Sequence, residues 1–501
     1  MSDDRGLSAG RAADGVSKPR TSNSGAVSIH RAPRGTQPAA EELAARLRPD
    51  FVLGVASAAP QIEGAWDEDG RTPSTWDVFA AEPGRIRDGS TPAVTADAYH
   101  RVDEDLALMR QARVDASRFS LSWSRLLPDG RGPVNPKAVA YYDRVLDGLL
   151  EAGIRPVVTL FHWDTPAPLE ERGGWLRRDT ADRFAEYAAA AGEAFGDRVA
   201  DWITLNEPTT VILDGYALGV HAPGRAKLFG AIRAVRNLLR AHGLAVDALR
   251  AVPVAGRIGI TNVHTPVEPA TDSREDGDAA DLFDFVHNRL FADPVLLGRD
   301  AELPRGARGL ERLGLGMLAR LGRDRAVISR PLDFYGLNYY FPSRVSAGAD
   351  PSGSVPDGHA EVMKEVPFKL EPFPEHPVTA FDWPIAPESL GVLLDQLHAR
   401  YGDRLPRIQI TEGGASFPDP VGPEGTVDDR DRIDYLRRHI AVAAAHPRVD
   451  GYYVWTFVDN WEWAAGFTQR FGIVHLDTET LVRTPKSSYH WFRRVQEARR
   501  R

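Results

Sequence analysis

The sequence predicts a single (β/α)8 barrel, an α/β fold in which eight parallel strands alternate with helices. Three observations predict it. Short apolar runs recur along the chain, each followed by an amphipathic helical pattern, and such alternation argues for parallel βαβ units. The runs number eight, which makes a closed barrel the first choice over an open sheet. The longest connections all follow strands, so they gather on the C-terminal rim, where barrels of this kind build their sites.

The elements follow in chain order. The predicted strands are Phe51–Ala59, Ala116–Trp123, Pro156–Trp163, Asp201–Glu207, Arg257–His264, Phe334–Tyr340, Arg407–Glu412 and Gly451–Val458. Most are rich in apolar residues, as strands buried on both faces should be. Helical periodicity marks Val102–Arg113, Val139–Ala152, Thr180–Phe195 and Arg430–Ala445 between them. The long rim connections are Pro60–Ala96, Pro342–Asp382 and Ser416–Asp428. Residues 1–45, rich in Ser, Gly, Ala and Arg, read as a disordered tail, because they offer too little apolar surface to offset ordering. Residues 46–501 then form one domain, and no second domain is predicted.

Composition narrows the function. With no cysteine, disulfides, thiolate nucleophiles and Cys-ligated metals are excluded. A net charge of -9 gives no reason to expect nucleic acid or an anionic membrane as partner. No apolar run is long enough for a secretory leader or a membrane span, so a cytoplasmic location is expected. No His/Glu spacing resembles a metal site, and no cofactor is expected. The Gly314-Leu315-Gly316 run imitates a dinucleotide fingerprint but follows no strand. The Arg-rich stretch Arg305–Arg330 reads as a solvated helical face.

The strand ends carry the chemistry. Gln61 and Glu63 follow the first strand; Phe161-His162-Trp163-Asp164 ends the third; Asn206-Glu207-Pro208 ends the fourth. Asn338-Tyr339-Tyr340 ends the sixth, Thr411-Glu412-Gly413-Gly414 the seventh, and Trp455 with Asp459-Asn460-Trp461-Glu462-Trp463 the eighth. Amides, an imidazole, carboxylates and indoles on one rim suit a sugar, whose hydroxyls need hydrogen-bond partners and whose ring has an apolar face. A phosphate site would show Arg, Lys or a Gly-rich turn instead. Glu207 and Glu412 end strands that a closed barrel sets across its mouth, and two carboxylates flanking one bond are what glycoside hydrolysis requires. A carboxylate pair of this kind predicts a bell-shaped pH dependence on the acid side of neutral. His162 beside two aromatic residues, Asn206 beside Glu207, and Glu462 between Trp461 and Trp463 are candidates to hold sugar hydroxyls.

These stretches resemble glycoside hydrolase family 1, the β-glucosidase family, over about residues 50–495. The resemblance rests on Gln61-Ile62-Glu63-Gly64, Arg118-Phe119-Ser120-Leu121-Ser122-Trp123, Thr204-Leu205-Asn206-Glu207-Pro208, Tyr335-Gly336-Leu337-Asn338-Tyr339-Tyr340, Ile410-Thr411-Glu412-Gly413-Gly414 and Trp455 through Trp463. It implies a TIM barrel and retaining hydrolysis of small β-glucosides, with β-galactosides or β-fucosides as further substrates, without metal or cofactor. It puts Glu207 in the acid/base motif and Glu412 in the nucleophile motif. It matches Gln61, His162, Asn206, Trp455, Glu462 and Trp463 to positions that hold the non-reducing sugar, Tyr340 to the tyrosine bonded to the nucleophile, and Asn338 to a polar neighbour. Trp163 and Trp175 become walls near the leaving group. One departure stands out: the family usually has Asn after the nucleophile, and here it is Gly413. A 6-phosphoglycosidase, a non-catalytic sugar-binding barrel and a glycosyl transferase remain the alternatives, and the sequence leaves the oligomeric state open.

Overall fold

The computed structural model describes residues 37–227, 230–348 and 366–501. Its centre is a closed barrel of eight parallel strands: β1 (Val52–Ala56), β2 (Ala116–Ser120), β3 (Arg155–Phe161), β4 (Asp201–Asn206), β5 (Arg257–Val263), β6 (Phe334–Asn338), β7 (Ile408–Gly413) and β8 (Val449–Trp455). Each strand pairs with its neighbours in sequence, and β8 closes on β1 from Val52↔Gly451 to Ala56↔Trp455. All eight predicted strands are present. Most of their residues are buried because the lumen lies on one face and the helical layer on the other.

The lumen is filled by Val157, Ile203, Phe334 and Tyr453. A larger core lies between strands and helices and includes Trp123, Phe184, Tyr187 and Trp202. Pattern and capping explain the helices. The one over Pro136–Glu151 starts at Asn135, whose side chain accepts from Lys137 N, with Pro136 in the first turn. The one over Thr75–Ala80 opens with a reciprocal box between Ser74 and Asp77.

Two expectations need correction. The tail was expected to reach residue 45, but Gln37–Arg46 is a helix. Ala40 and Leu43, one turn apart, are buried, and the helix packs on the C-terminal helix Ser487–Arg499. Residues 1–36 lie outside the described residues. The connection after β6 is no plain loop either. Ser343–Ala347 pairs antiparallel with Phe368–Glu371 and parallel with Val267–Pro269, giving a three-stranded flap on the rim. Among the described residues, no helix is long and apolar enough to cross a membrane.

Candidate active site

Glu207 is the residue just past β4, at φ 44 and ψ 61. An L-residue in the left-handed region before a proline is uncommon, and such backbone persists where its surroundings hold it. Here the Glu207 N–H donates to Thr261 O at 2.9 Å. The side chain is buried at the barrel mouth. Its Oε1 accepts from Asn338 Nδ2 at 2.7 Å and its Oε2 from Thr210 Oγ1 at 2.9 Å. Burial above all, and then the negative charge of Glu412, push its carboxyl up to about 8.

Glu412 sits where β7 slips in register against both neighbours, against β6 between Ile410 and Glu412 and against β8 between Ile410 and Gly413. Such a bulge re-aims a side chain. The carboxylate receives Arg118 Nη1 at 2.5 Å on one oxygen and the Tyr340 hydroxyl at 2.7 Å on the other. Arg118, on β2, is completely buried. Its other hydrogens reach Thr411 O at 3.0 Å, Thr159 Oγ1 at 3.1 Å and Asn206 Oδ1 at 2.7 Å. Asn338 Nδ2 lies 3.1 Å from that same Asn206 oxygen. A continuous chain of contacts therefore runs from Glu207 through Asn338, Asn206 and Arg118 to Glu412.

The guanidinium can only donate, so it fixes the Asn206 oxygen toward itself and turns the amide nitrogen to His162 Nε2, 3.1 Å away. Burial, helped by Arg118, holds His162 well below its usual range, so the ring is neutral. It stacks at 5.8 Å on Trp455 and at 5.9 Å on Trp463. Trp463 also faces Trp163 at 4.5 Å and Trp76 at 4.6 Å. Gln61 donates to Trp461 O at 3.0 Å and its own carbonyl accepts from Trp461 N at 3.1 Å, which ties the β8 loop to the loop after β1. Gln61 Nε2 also lies 3.4 Å from the Glu462 carboxylate. Lower on that loop, Asp459 Oδ1 accepts from buried Lys486 Nζ and from Gly472 N, each at 2.8 Å.

Glu207, Glu412, His162, Trp163, Tyr340, Trp455, Glu462 and Trp463 line one cavity of about 1710 Å³ on the C-terminal rim. Carboxylates, an amide–guanidinium bridge and indole walls in one pocket can bind a polyol and place two acidic groups beside one bond. Among the described residues, no group of three or more His, Asp or Glu is placed to hold a metal ion.

The sequence profile of glycosyl hydrolase family 1 matches residues 43–501. The chain belongs to that family. It is 41% identical to "Beta-glucosidase A" of Thermotoga maritima over 451 residues, 89% of this chain and 96% of that one. The solved structure of the family 1 β-glucosidase from Thermotoga maritima superposes with a TM-score of 0.82 at 39% identity, covering 91% of this chain and 99% of that one. A "6-phospho-beta-galactosidase" of Clostridium acetobutylicum is 34% identical over 461 residues, 89% of this chain and 96% of that one.

Within this family 1 barrel Glu207, Glu412, His162, Tyr340, Trp455, Glu462 and Trp463 line the cavity, and Asn338, Asn206 and Gln61 stand directly behind them, beside Glu207, His162 and Glu462. Trp175 does not join them. It is fully buried among Phe161, Phe184 and Trp123, with its indole N–H on Thr165 Oγ1 at 3.1 Å, so it is core and not a pocket wall. Glu63 is likewise structural, held by Arg125 at 3.0 Å and Tyr142 at 2.8 Å. Sequence reasoning passed over Arg118 and Thr210 as site residues. The signal for Arg118 was a cation inside a predicted strand. For Thr210 there was only its place one turn past Glu207.

Gly413 also finds its reason. Its φ lies outside the left-handed region, so the backbone does not demand glycine. A Cβ there would lie 2.2 Å from the hydroxyl of Tyr452 on β8 and 2.6 Å from its ring. The buried Tyr452 side chain fills the room a side chain at 413 would need. A Cβ on Gly414 would lie 1.8 Å from Trp455 O.

Proposed function

We propose that the chain is a retaining β-glycosidase, most readily a β-glucosidase, that removes a terminal non-reducing β-D-glucosyl residue through a covalent glycosyl-enzyme. The observation that carries this reading is the pair Glu207 and Glu412, buried in one pocket, with unlike surroundings. Glu412 faces a cation and a hydroxyl, which hold its carboxyl group in place for attack. Glu207 has no cation in contact and keeps its proton to about pH 8, as an acid for the leaving oxygen must. After attack by Glu412 on the anomeric carbon, ionised Glu207 takes a proton from water, which displaces Glu412 and restores the β-configuration. His162, Asn206, Gln61 and Glu462 offer hydrogen bonds to the sugar, Trp455 and Trp463 its walls, Tyr340 and Asn338 orientation of the two carboxylates. Proton NMR of a nitrophenyl β-glucoside during turnover is expected to show β-glucose first. α-Glucose first would overturn the reading.

The pH profile should follow Glu207. A carboxyl raised to about 8 is neutral below that pH and ionises as pH rises through it. With an alkyl glucoside, kcat/KM is expected to fall about tenfold per pH unit above roughly 8. With a dinitrophenyl leaving group, which departs without a proton, that limb should be absent. The acid-side profile expected from sequence thus shifts upward, because burial and the neighbouring carboxylate both disfavour ionised Glu207. The same limb for both substrates would contradict the role given to Glu207.

Glu462 sets the choice against phosphorylated sugars. A carboxylate at the far end of the sugar repels a dianionic 6-phosphate. A nitrophenyl β-glucoside panel with and without 6-phosphate is expected to show poor turnover of the phosphorylated members, and Glu462→Ser to relax the exclusion. Faster turnover of a 6-phosphoglucoside by the native enzyme would reverse this assignment.

A further inference from the structure

Behind the carboxylates a line of polar side chains runs on past Asn338. Thr261 on β5, Thr411 on β7 and Asn338 at the end of β6 are completely buried, and none of the three lines the cavity. Thr261 Oγ1 lies 3.2 Å from Thr411 Oγ1, Thr411 Oγ1 2.8 Å from Asn338 Oδ1, and Asn338 Nδ2 2.7 Å from Glu207 Oε1. The line closes on itself, because the Thr261 carbonyl accepts the Glu207 N–H at 2.9 Å. A glycine makes room for it. The φ of Gly336 lies outside the left-handed region, yet a Cβ there would lie 2.2 Å from Thr261 Oγ1.

Arg118 fixes the direction of every hydrogen in this line. A guanidinium only donates, so the Asn206 atom 2.7 Å from Arg118 Nη2 is its oxygen. The Asn338 atom 3.1 Å from that oxygen must then be the nitrogen. This turns the same nitrogen to Glu207 and the Asn338 oxygen to Thr411. An amide oxygen only accepts, so Thr411 spends its one hydrogen there, and the hydrogen between the two threonines belongs to Thr261. Hydrogen bonds in such a row strengthen one another. Asn338 therefore donates more strongly to Glu207 because its oxygen receives from Thr411.

We propose that Thr411, backed by Thr261, is a positioning residue for the acid/base: its hydroxyl holds the Asn338 amide as a fixed donor to Glu207 Oε1 and so governs how readily Glu207 gives up its proton. The assignment rests on the glycosidase reading above. A donor on Oε1 favours the carboxylate, against the burial and the Glu412 charge that keep the proton on. Weakening that donor raises the Glu207 carboxyl further, so the alkaline fall in activity moves to higher pH. Glu207 also faces Arg118 from β2, Tyr340 just past β6 and the Thr210 hydroxyl. His162, Asp214, His221, His287 and Glu462 share its cavity. Replacing the Thr411 hydroxyl by a methyl group removes none of these.

The test is the pH dependence of kcat/KM for methyl β-glucoside in the native enzyme, Thr411→Val, Thr411→Ser and Thr261→Val. We expect the alkaline limb to move up by about 0.5–1 pH unit in Thr411→Val and by less in Thr261→Val. Thr411→Ser keeps the hydroxyl and should keep the limb in place. The acid limb and KM should stay near their native values throughout. Thr261→Val, on another strand, carries the test should Thr411→Val fail to fold. An alkaline limb unmoved or lowered in the valine variants, or raised as far by serine as by valine, overturns the role of Thr411 and leaves the glycosidase reading standing. So does a loss of kcat/KM at every pH with both limbs fixed, the mark of a purely structural residue. A native enzyme that hydrolyses no β-glucoside overturns the glycosidase reading and this assignment together.

Discussion

Glu412→Ala is expected to abolish hydrolysis of every β-glucoside alike, whatever the leaving group. Glycosylation needs a nucleophile each time, and the hydroxyl and guanidinium around Glu412 cannot replace it. Glu207→Ala should behave differently. General acid assistance is worth roughly 10²–10⁴-fold and is needed most by alkyl leaving groups. With a dinitrophenyl glucoside the first step should survive, while breakdown of the glycosyl-enzyme stays slow for want of a base. The expected record is a burst of dinitrophenol, then a slow phase that azide accelerates with formation of the β-glycosyl azide. A burst in Glu412→Ala, with Glu207→Ala dead on all substrates, would exchange the two roles.

Arg118→Met comes next in size. One guanidinium holds Glu412, Asn206 and Thr411 O together, wholly out of water. Its loss leaves the buried Glu412 carboxylate with only the Tyr340 hydroxyl as a side-chain donor among the described residues. Breaking a buried pair from one side costs about 3–5 kcal/mol of stability, visible in thermal melting. Removing a preorganised donor from a reacting centre typically costs about 10²–10³ in kcat. In the proposed reading Gln61, His162 and Glu462 would hold the sugar, so KM should move far less than kcat. Arg118→Lys keeps the charge but not the fork that reaches Thr159, Thr411 O, Glu412 and Asn206, and should fall between. Equal loss in kcat and KM, or none, would show that Arg118 does not position Glu412.

The barrel was legible because strands buried on two faces are rich in apolar residues; Ile408–Gly413 and Asp201–Asn206 could be placed to within two residues. The ends of those runs announced the site, since a carboxylate closing an apolar strand has to be accounted for. Three features stayed hidden for physical reasons. Arg118 reads as a surface charge until its partners, 88 and 294 positions away, arrive beside it. The helix Gln37–Arg46 hides in a polar, Ala-rich composition because it docks through side chains as small as Ala40. The strands after β6 sit among Pro and Gly, and only pairing with Val267–Pro269 makes them a flap. Trp175 misled in the opposite sense: an indole near a rim suggests a wall, yet a ring that size can serve the helical layer as well.

The meeting of Gly413 with Tyr452 bears on how this enzyme can change. The two residues sit on adjacent strands and divide one volume between them. Bringing the Asn usual in the family to position 413 has no neutral single step, because the newcomer overlaps an aromatic ring that packing holds in place. Trimming Tyr452 first leaves a void under the nucleophile strand, which carries its own cost. Gly413→Asn alone is therefore expected to lower the melting temperature.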